Sequence, residues 1–568
     1  MTRASTSTLS CIFATLCAIL ALAAGPLWAQ SEGPRPQHPI SGTGSGGAEG
    51  PSRLDALIAV PRAEAVHPPR LPDNDVPAET QSAEVPSTTQ RLQSSDARVD
   101  ESALGRLPQP GPAIGNEVSA AAPTVNSSFT SYGDTDVPGS TNGTYVVYYA
   151  YYAGEIDVYK LAGGLVQATT PSAFWCGGAN PLPICSSGGT AVDTRVKYDT
   201  GSQRWIISGL WLFGNNKVPT DALAVSRTSD PTGGWYRYQF PACGAFDTWD
   251  GSDQPHTGFN SQWIAVTSAC SASSGGVNGA GLAVFDKANL YRGGTLTLNT
   301  NWFEFVDPYS GGPYHGIGGG NGTRDNPVAT YTSTINNREY LTVRIPAAQA
   351  EVLYSHIEGT TDAPVFYSGT ETVTTSFAVA SGVPAVDAPG CTGCIATFVN
   401  GWIHSSAVYG FANGDAYILS TMVLGDPNHA RATQIISIAV NTKTGAATAL
   451  QVASGIDGSG PLASEIAMPL VRSGSADVAY VVYDHSRFDF YPGVKDISWN
   501  VDTNSVNYIT VLREGSLTPN NGDQNRWADF DDALAPIPGS THLVLGGLIA
   551  SPSANDSQRA TFWADVTP

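Results

Sequence analysis

From Asn126 to Pro568 the chain repeats one texture: short runs of aromatic and β-branched residues, each closed by a cluster of Gly, Asn, Asp or Pro. Thr144-Tyr-Val-Val-Tyr-Tyr149, Arg204-Trp-Ile-Ile-Ser208, Gln262-Trp-Ile-Ala-Val-Thr267, Gly281-Leu-Ala-Val-Phe285 and Ala416-Tyr-Ile-Leu-Ser420 are such runs, and Ile435–Ala439, Val478–Val482 and His542–Leu545 continue the series. Runs of this kind between turn formers read as strands, and helical periodicity is scarce. So many strands exceed one sandwich, which leaves two β domains or a radial array of sheets. A recurring turn favours the array. Asp- or Asn-led turns follow strands at blade-like intervals, at Asp286-Lys287, Asn441-Thr-Lys-Thr-Gly445 and Asp502-Thr-Asn504, as expected where a blade reverses direction. The expected fold is all-β, a β-propeller of six or seven four-stranded blades over residues 126–568.

The residues before this domain read differently. Arg3, the apolar stretch Cys11–Ala24, the break Gly25-Pro26 and the small-residue site ending at Ala29 form the pattern of a secretory signal peptide over residues 1–29. The apolar stretch is shorter than the roughly 20 residues of a spanning helix, which disfavours a membrane anchor. Residues 30–125 are rich in Pro, Ser, Gly, Ala, Gln and Glu with almost no aromatics. Such a stretch buries too little apolar surface to offset its ordering entropy, so it reads as a disordered linker or a removed pro-segment. The expected location is secreted, periplasmic or cell-surface.

Charge narrows the partners. A formal net charge of −21 with a pI near 4.7 argues against nucleic acid, whose phosphates are bound by clustered Lys and Arg. Eight cysteines are present. Cys11 and Cys17 lie in the signal segment, and the others fall as sequence neighbours, Cys176 with Cys185, Cys243 with Cys270 and Cys391 with Cys394. In an oxidising compartment these are expected to pair as three local disulfides. Cys391-Thr-Gly-Cys394 also admits a redox or zinc reading, but its flanks read as turn and strand, without the helix or further ligands that those sites need.

Several segments carry a family resemblance. Asn126-Ser-Ser-Phe-Thr130, Tyr198-Asp-Thr-Gly-Ser-Gln-Arg-Trp205, Ala224-Val-Ser-Arg-Thr-Ser-Asp-Pro-Thr-Gly-Gly-Trp-Tyr-Arg-Tyr238, Ala283-Val-Phe-Asp-Lys287 and Arg526-Trp-Ala-Asp529 occur in order. Together they resemble a group of secreted bacterial β-propeller proteins of unestablished activity, distantly similar to sialidase-type propellers. The resemblance implies a fold more than a function. Thr228–Trp235 is similar to a sialidase Asp-box, S/T-x-D-x-G-x-x-W, with its glycine displaced by one residue. That motif is a turn device, so Asp230, Gly233 and Trp235 are expected to be structural. Val343-Arg-Ile-Pro346 echoes the sialidase F/Y-R-I-P start but stands mid-chain, and is taken as coincidence.

No GxSxG elbow, HExxH helix, Walker loop or EF-hand pattern occurs, and Gly316-Ile-Gly-Gly-Gly320 lacks the strand-to-helix context of a phosphate loop. A propeller places its ligand at the mouth of the central channel. The candidate ligand residues are Asp253, His256, His315, Arg324, Asp325, Asp484, Arg487, Arg526 and Asp529, from loops that mix both charge signs with aromatics. Converging arginines suit a carboxylated sugar or another anion, while solvated turn residues and ion pairs are the bland reading. No cofactor is expected. Calcium is a candidate at Asp529, Asp531 and Asp532, as a hard ion seeking clustered oxygens. His256, His315 and His485 would ligate a metal only if the fold gathered them. Catalytic residues are not assigned, since glycoside hydrolysis needs two carboxyls about 5–10 Å apart and spacing alone selects no pair. The expected role is a binding module for an extracellular polysaccharide or protein surface. The alternative is a sialidase-like glycoside hydrolase or lyase with an Arg/Asp/His site at the channel mouth.

Overall fold

The computed structural model describes most of residues 123–567. The stretches 213–219, 242–250, 272–278, 307–312, 315–327, 330–337, 411–415, 520–525 and 552–558, some shorter ones, and all of the chain before 123 except five strand segments between 52 and 100, lie outside the described residues.

Neighbouring β-forming runs pair antiparallel across short turns, and the pairs build seven four-stranded blades. From the innermost strand outward, blade 1 is Val137–Thr141, Tyr145–Ala150, Glu155–Lys160 and Leu165–Thr169. Blade 2 is Thr190–Asp199, Arg204–Leu212, Thr220–Ser226 and Trp235–Pro241, and blade 3 is Gly251–Phe259, Trp263–Ser271, Gly279–Asp286 and Leu296–Phe303. Blade 4 comprises Val328–Ala329, Glu339–Ile345, Gln349–Thr360 and Ala363–Ala378. Blade 5 comprises Ile403–Gly410, Ala416–Gly425, Thr433–Asn441 and Ala447–Ala453, and blade 6 Gly460–Ala467, Val478–Arg487, Phe490–Asn500 and Ser505–Arg513.

Blade 7 is composite. Its inner strands, Ala535–Pro536, Leu543–Ala550 and Arg559–Thr567, come from the end of the chain, and its outer strand is Thr124–Tyr132. Phe129 lies opposite Trp563 and Ser131 opposite Thr561. Hydrogen bonds between segments more than four hundred residues apart therefore close the ring, tying the two ends of the domain together. The innermost strands of blades 1 to 6 pack against one another in turn, and blade 7 meets blade 1 through Leu543–Ala550. Facing blades are glued by aromatics. Trp205, Trp263, Trp499 and Trp563 are fully buried, and Phe240 of blade 2 meets Phe285 of blade 3 edge-on at 4.9 Å.

The Asp- and Asn-led turns join the third strand to the outer strand. In blade 5, Asn441 Oδ1 accepts the amides of Lys443 and Thr444 at 3.0 and 3.1 Å, and Gly445 adopts φ +70°. In blade 6, Asn500 Oδ1 accepts those of Asp502 and Thr503 at 3.1 and 3.0 Å. In blade 3, Asp286 caps the short helix Lys287–Tyr291 by accepting from the Asn289 amide. In blade 2, the Asp-box-like segment fills the same place. Asp230 Oδ1 accepts from the Thr232 amide at 3.0 Å, and buried Trp235 donates Nε1–H to the Pro231 carbonyl at 3.0 Å. Gly233 contributes through its N–H, which donates to the Asp230 carbonyl, and its backbone is not left-handed.

Cys176 with Cys185 and Cys391 with Cys394 form the expected disulfides. The Cys243–Cys270 pairing lies outside the described residues, as do the signal segment, most of 30–125 and the Gly316–Gly320 cluster. Of the segments before residue 101, Ser95–Asp100 runs parallel to the outer strand of blade 5, Ser95 opposite Thr448. No helix among the described residues is long and apolar enough to cross a membrane.

Candidate functional site

Several innermost strands share one irregularity where they pair with the second strand. The register slips between Val192 and Arg195 in blade 2, Asp253 and His256 in blade 3, Ile403 and Ser405 in blade 5, and Pro461 and Ala463 in blade 6. Bulges re-aim the side chains beside them and tolerate proline, here Pro255 and Pro461. Asp193 and Gln254 take left-handed angles, φ +47° and +49°, a conformation non-glycine residues adopt at some cost and mostly where the surroundings impose it.

The slips deliver basic side chains to the axis. Arg195 and Lys197 of blade 2, His256 of blade 3 and His404 of blade 5 are all at most 6% exposed. Arg195 Nη2 stands 3.4 Å from His256 Nδ1. His404 senses the charge of Arg195, and His256 senses Arg195, Lys197 and His404 together. Blades 2 and 5 are separated by two blades on the ring, so these groups reach one another across its centre.

Protonation states follow from the contacts. A guanidinium only donates, so His256 Nδ1 accepts from Arg195 and the ring proton sits on Nε2. The Ser464 amide donates to His404 Nδ1 at 3.3 Å, which again leaves the proton on Nε2. Burial, then the charges of Arg195, Lys197 and His404, hold His256 well below its ordinary pKa. Burial and then Arg195 push His404 down to about 3. Both rings are therefore neutral at physiological pH. His404 Nε2–H is buried and has no hydrogen-bond partner among the described residues. The four side chains thus concentrate positive charge and N–H groups near the axis.

The candidates read from the sequence are dispersed differently. His256 belongs to this cluster, yet it stands on the inner strand Gly251–Phe259, not on a loop, and so does Asp253, of which only the backbone is described. Asp484 is fully buried and structural. It accepts Trp527 Nε1–H at 2.9 Å and the Leu548 amide at 3.0 Å, tying blade 6 to blade 7. Arg487, the last residue of the second strand of blade 6, pairs with Asp489. His485 is buried between Tyr483 and Phe490. The backbone of Arg526 lies beside Ala396, and its side chain is outside the described residues. His315, Arg324, Asp325 and Asp529 lie outside them altogether. Of Asp531 and Asp532 only the backbone is described, running parallel to Val137-Pro138 at the inner strand of blade 1. Among the described residues no three His, Cys, Asp or Glu side chains gather as metal ligands.

Arg195, Lys197 and His404 were not candidates from the sequence. The signal available was a cation or imidazole inside an apolar strand, as in Thr190-Ala-Val-Asp-Thr-Arg-Val-Lys197 and Ile403-His-Ser-Ser-Ala407, where an ionisable group is rarely buried without purpose.

No family model matches the chain, and no curated protein matches it in sequence. Solved structures similar to it are β-propellers. The haemagglutinin-neuraminidase ectodomain of parainfluenza virus 5 is 9% identical, with 90% of this chain and 96% of that one covered and a TM-score of 0.33. The α-L-arabinanase of Cellvibrio cellulosa, complexed with arabinohexaose, is 9% identical over 56% of this chain and 96% of that one, at a TM-score of 0.28. The endo-arabinase of Bacteroides thetaiotaomicron is 11% identical over 59% and 98%, at 0.25. Likeness at this level bears on no residue of this chain and on no activity.

Proposed function

We propose that this chain is an exported binding module that holds an anionic ligand, such as an acidic sugar of an extracellular polysaccharide or an acidic protein side chain, on the propeller axis. The observation that carries this reading is the cluster of Arg195, Lys197, His256 and His404, two cations and two neutral imidazoles assembled from three blades and buried. A carboxylate or sulfate on the axis would accept the buried Nε2–H of His404 and lie within the positive field of Arg195 and Lys197. Hydrolysis is the weaker reading. It calls for a pair of carboxyls serving as acid and base, and of the acidic residues in the candidate loops Asp484 bonds Trp527 and Leu548 while Asp489 pairs with Arg487.

The test is a glycan array probed with the purified protein, in calcium and in chelator, followed by product analysis of whatever is retained. Retention of uronate- or sulfate-bearing glycans without turnover, lost in Arg195→Met, is the expected result. A difference between the calcium and chelator arms would show that a calcium ion contributes to binding, with Asp529, Asp531 and Asp532 as its candidate ligands. Release of a sugar product would overturn the binding-only reading, and retention unaffected by Arg195→Met would move the site off the axis.

A further inference from the structure

The five short strands between residues 52 and 100 all pair with outer strands of the propeller, on four successive blades. Ser52–Arg53 runs antiparallel to Val365 and Phe366 of blade 4, Ala56–Val60 antiparallel to Leu296–Asn299 of blade 3, and Arg62–Glu64 antiparallel to Tyr236–Tyr238 of blade 2. Gln90–Gln93 returns to blade 4, parallel to Glu371–Thr374. Ser95–Asp100 then continues to blade 5, parallel to Thr448–Ala453 without a break in register.

The order of these pairings is that of a belt. The first three strands step round the ring from blade 4 to 3 to 2, and the last two from blade 4 to 5. Each step is short: Leu54 and Asp55 separate the first two strands, Pro61 the next two, and Ser94 the last two. One or two linking residues carry the chain no more than about 7–11 Å, so it changes blade only where two outer strands approach closely. Blades 2 and 3 do so beside the second step. There the Tyr236 ring packs on Gly293, a left-handed position at which a Cβ would collide with it, and Tyr238 Oη donates to the Leu290 carbonyl at 3.2 Å.

The residue types suit added edge strands. Ala56-Leu-Ile-Ala-Val60 is an apolar run with β-branched residues, set in a stretch otherwise rich in Pro, Ser and Gly. Ser95-Asp-Ala-Arg-Val-Asp100 alternates small or apolar residues with charged ones at the period of two that a strand requires. Pro61, which has no N–H to offer a ladder, falls at a step between blades. A free spacer needs none of these patterns.

We propose that residues 52–100 stay with the propeller in the finished protein as a belt that fastens blades 2 to 5 from outside, and are neither a free spacer nor a discarded pro-segment. Thr124–Tyr132 closes the ring within blade 7, and the belt adds ladders that tie blade to blade along the rim. It also withdraws the outer edges of four blades from other chains, because an unpaired edge is a template for a foreign strand. The inference is independent of the axial cluster.

The experiment is hydrogen exchange read by mass spectrometry on the full chain, together with the intact mass of the protein recovered after export. The recovered chain is expected to include residues 52–100. Within 56–60 and 95–100, the amides that face the blades are expected to exchange about a hundredfold or more slower than in an unfolded peptide. Neighbouring residues of an edge strand turn their N–H groups to opposite sides. One of Ala97→Pro and Arg98→Pro therefore removes a ladder donor, with protection lost over 95–100 and on the belt-facing amides of Thr448–Ala453, while the other is tolerated. Exchange of both segments at the free-peptide rate, a recovered chain that begins after residue 100, or unchanged protection in both proline variants would each overturn the proposal.

Discussion

Asp496 makes this propeller sensitive to rising pH. It lies on the third strand of blade 6, fully buried, and accepts at Oδ2 from the Tyr508 hydroxyl at 3.2 Å. Tyr480 and Ser498 stand beside it. Burial, only partly countered by the Tyr508 hydroxyl and the Ile497 amide, raises its pKa from 3.8 to about 7. The folded protein therefore keeps a proton that the unfolded chain releases near pH 4, and stability must fall as pH rises through the window between the two values. At about 1.4 kcal/mol per pH unit, the loss between pH 5 and pH 8 is about 3 kcal/mol. Asn has the same shape, accepts from Tyr508 and does not titrate, so Asp496→Asn is expected to abolish that part of the pH dependence. Over a domain of this size, with an unfolding entropy of about 2 cal/mol/K per residue, about 3 kcal/mol corresponds to about 3 °C in Tm. Thermal unfolding of both proteins at pH 5 and pH 8 measures the difference of differences. Equal losses in the two proteins would show that the carboxyl is hydrated or paired in solution, and the argument from burial would fail.

Asp157, whose pKa burial raises to about 6 while Tyr159 donates to its Oδ2 at 2.9 Å, is expected to add a second loss of the same sign between about pH 4 and pH 6, removed by Asp157→Asn and seen in the same scans. Asp484→Ala strips the acceptor from Trp527 and the Leu548 amide, and each buried donor left unmade costs about 1–3 kcal/mol. A drop of about 3 kcal/mol in urea unfolding is expected, with a shift in tryptophan emission that Asp489→Ala at the surface pair does not produce. Gly547→Ala places a methyl 2.7 Å from Asp484 Oδ1 and 2.6 Å from Val494 Cγ2. Overpacking of that kind is expected to destabilise by about 1–3 kcal/mol, checked in the same urea series.

The turns were the most legible part of the fold. Asp286, Asn441 and the segment around Asp502 stand out because a carboxylate or amide that accepts backbone N–H groups two or three residues ahead is a local preference, decided within a few residues. Blade number was less legible, read as six or seven. The ring closes with seven because Thr124–Tyr132, at the start of the domain, supplies the outer strand of the blade formed by its end, and nothing local to either segment announces that pairing. The candidate loops were chosen on composition, which does not report a side chain's partners. Asp484 and Arg487 have the composition of a ligand site, yet one joins two blades and the other pairs with its neighbour Asp489.

The amino-acid order by itself thus determined the all-β class, the strand and turn alternation, the local disulfides of Cys176 with Cys185 and of Cys391 with Cys394, and the structural role of Asp230 and Trp235. Each of these depends on interactions within a dozen or so residues. Only the tertiary structure decided that Arg195, His256 and His404, which lie on three separate blades, meet at one axis. Their approach is fixed by the closure of the ring and by the bulges that re-aim each inner strand, and that geometry belongs to the whole circle of sheets.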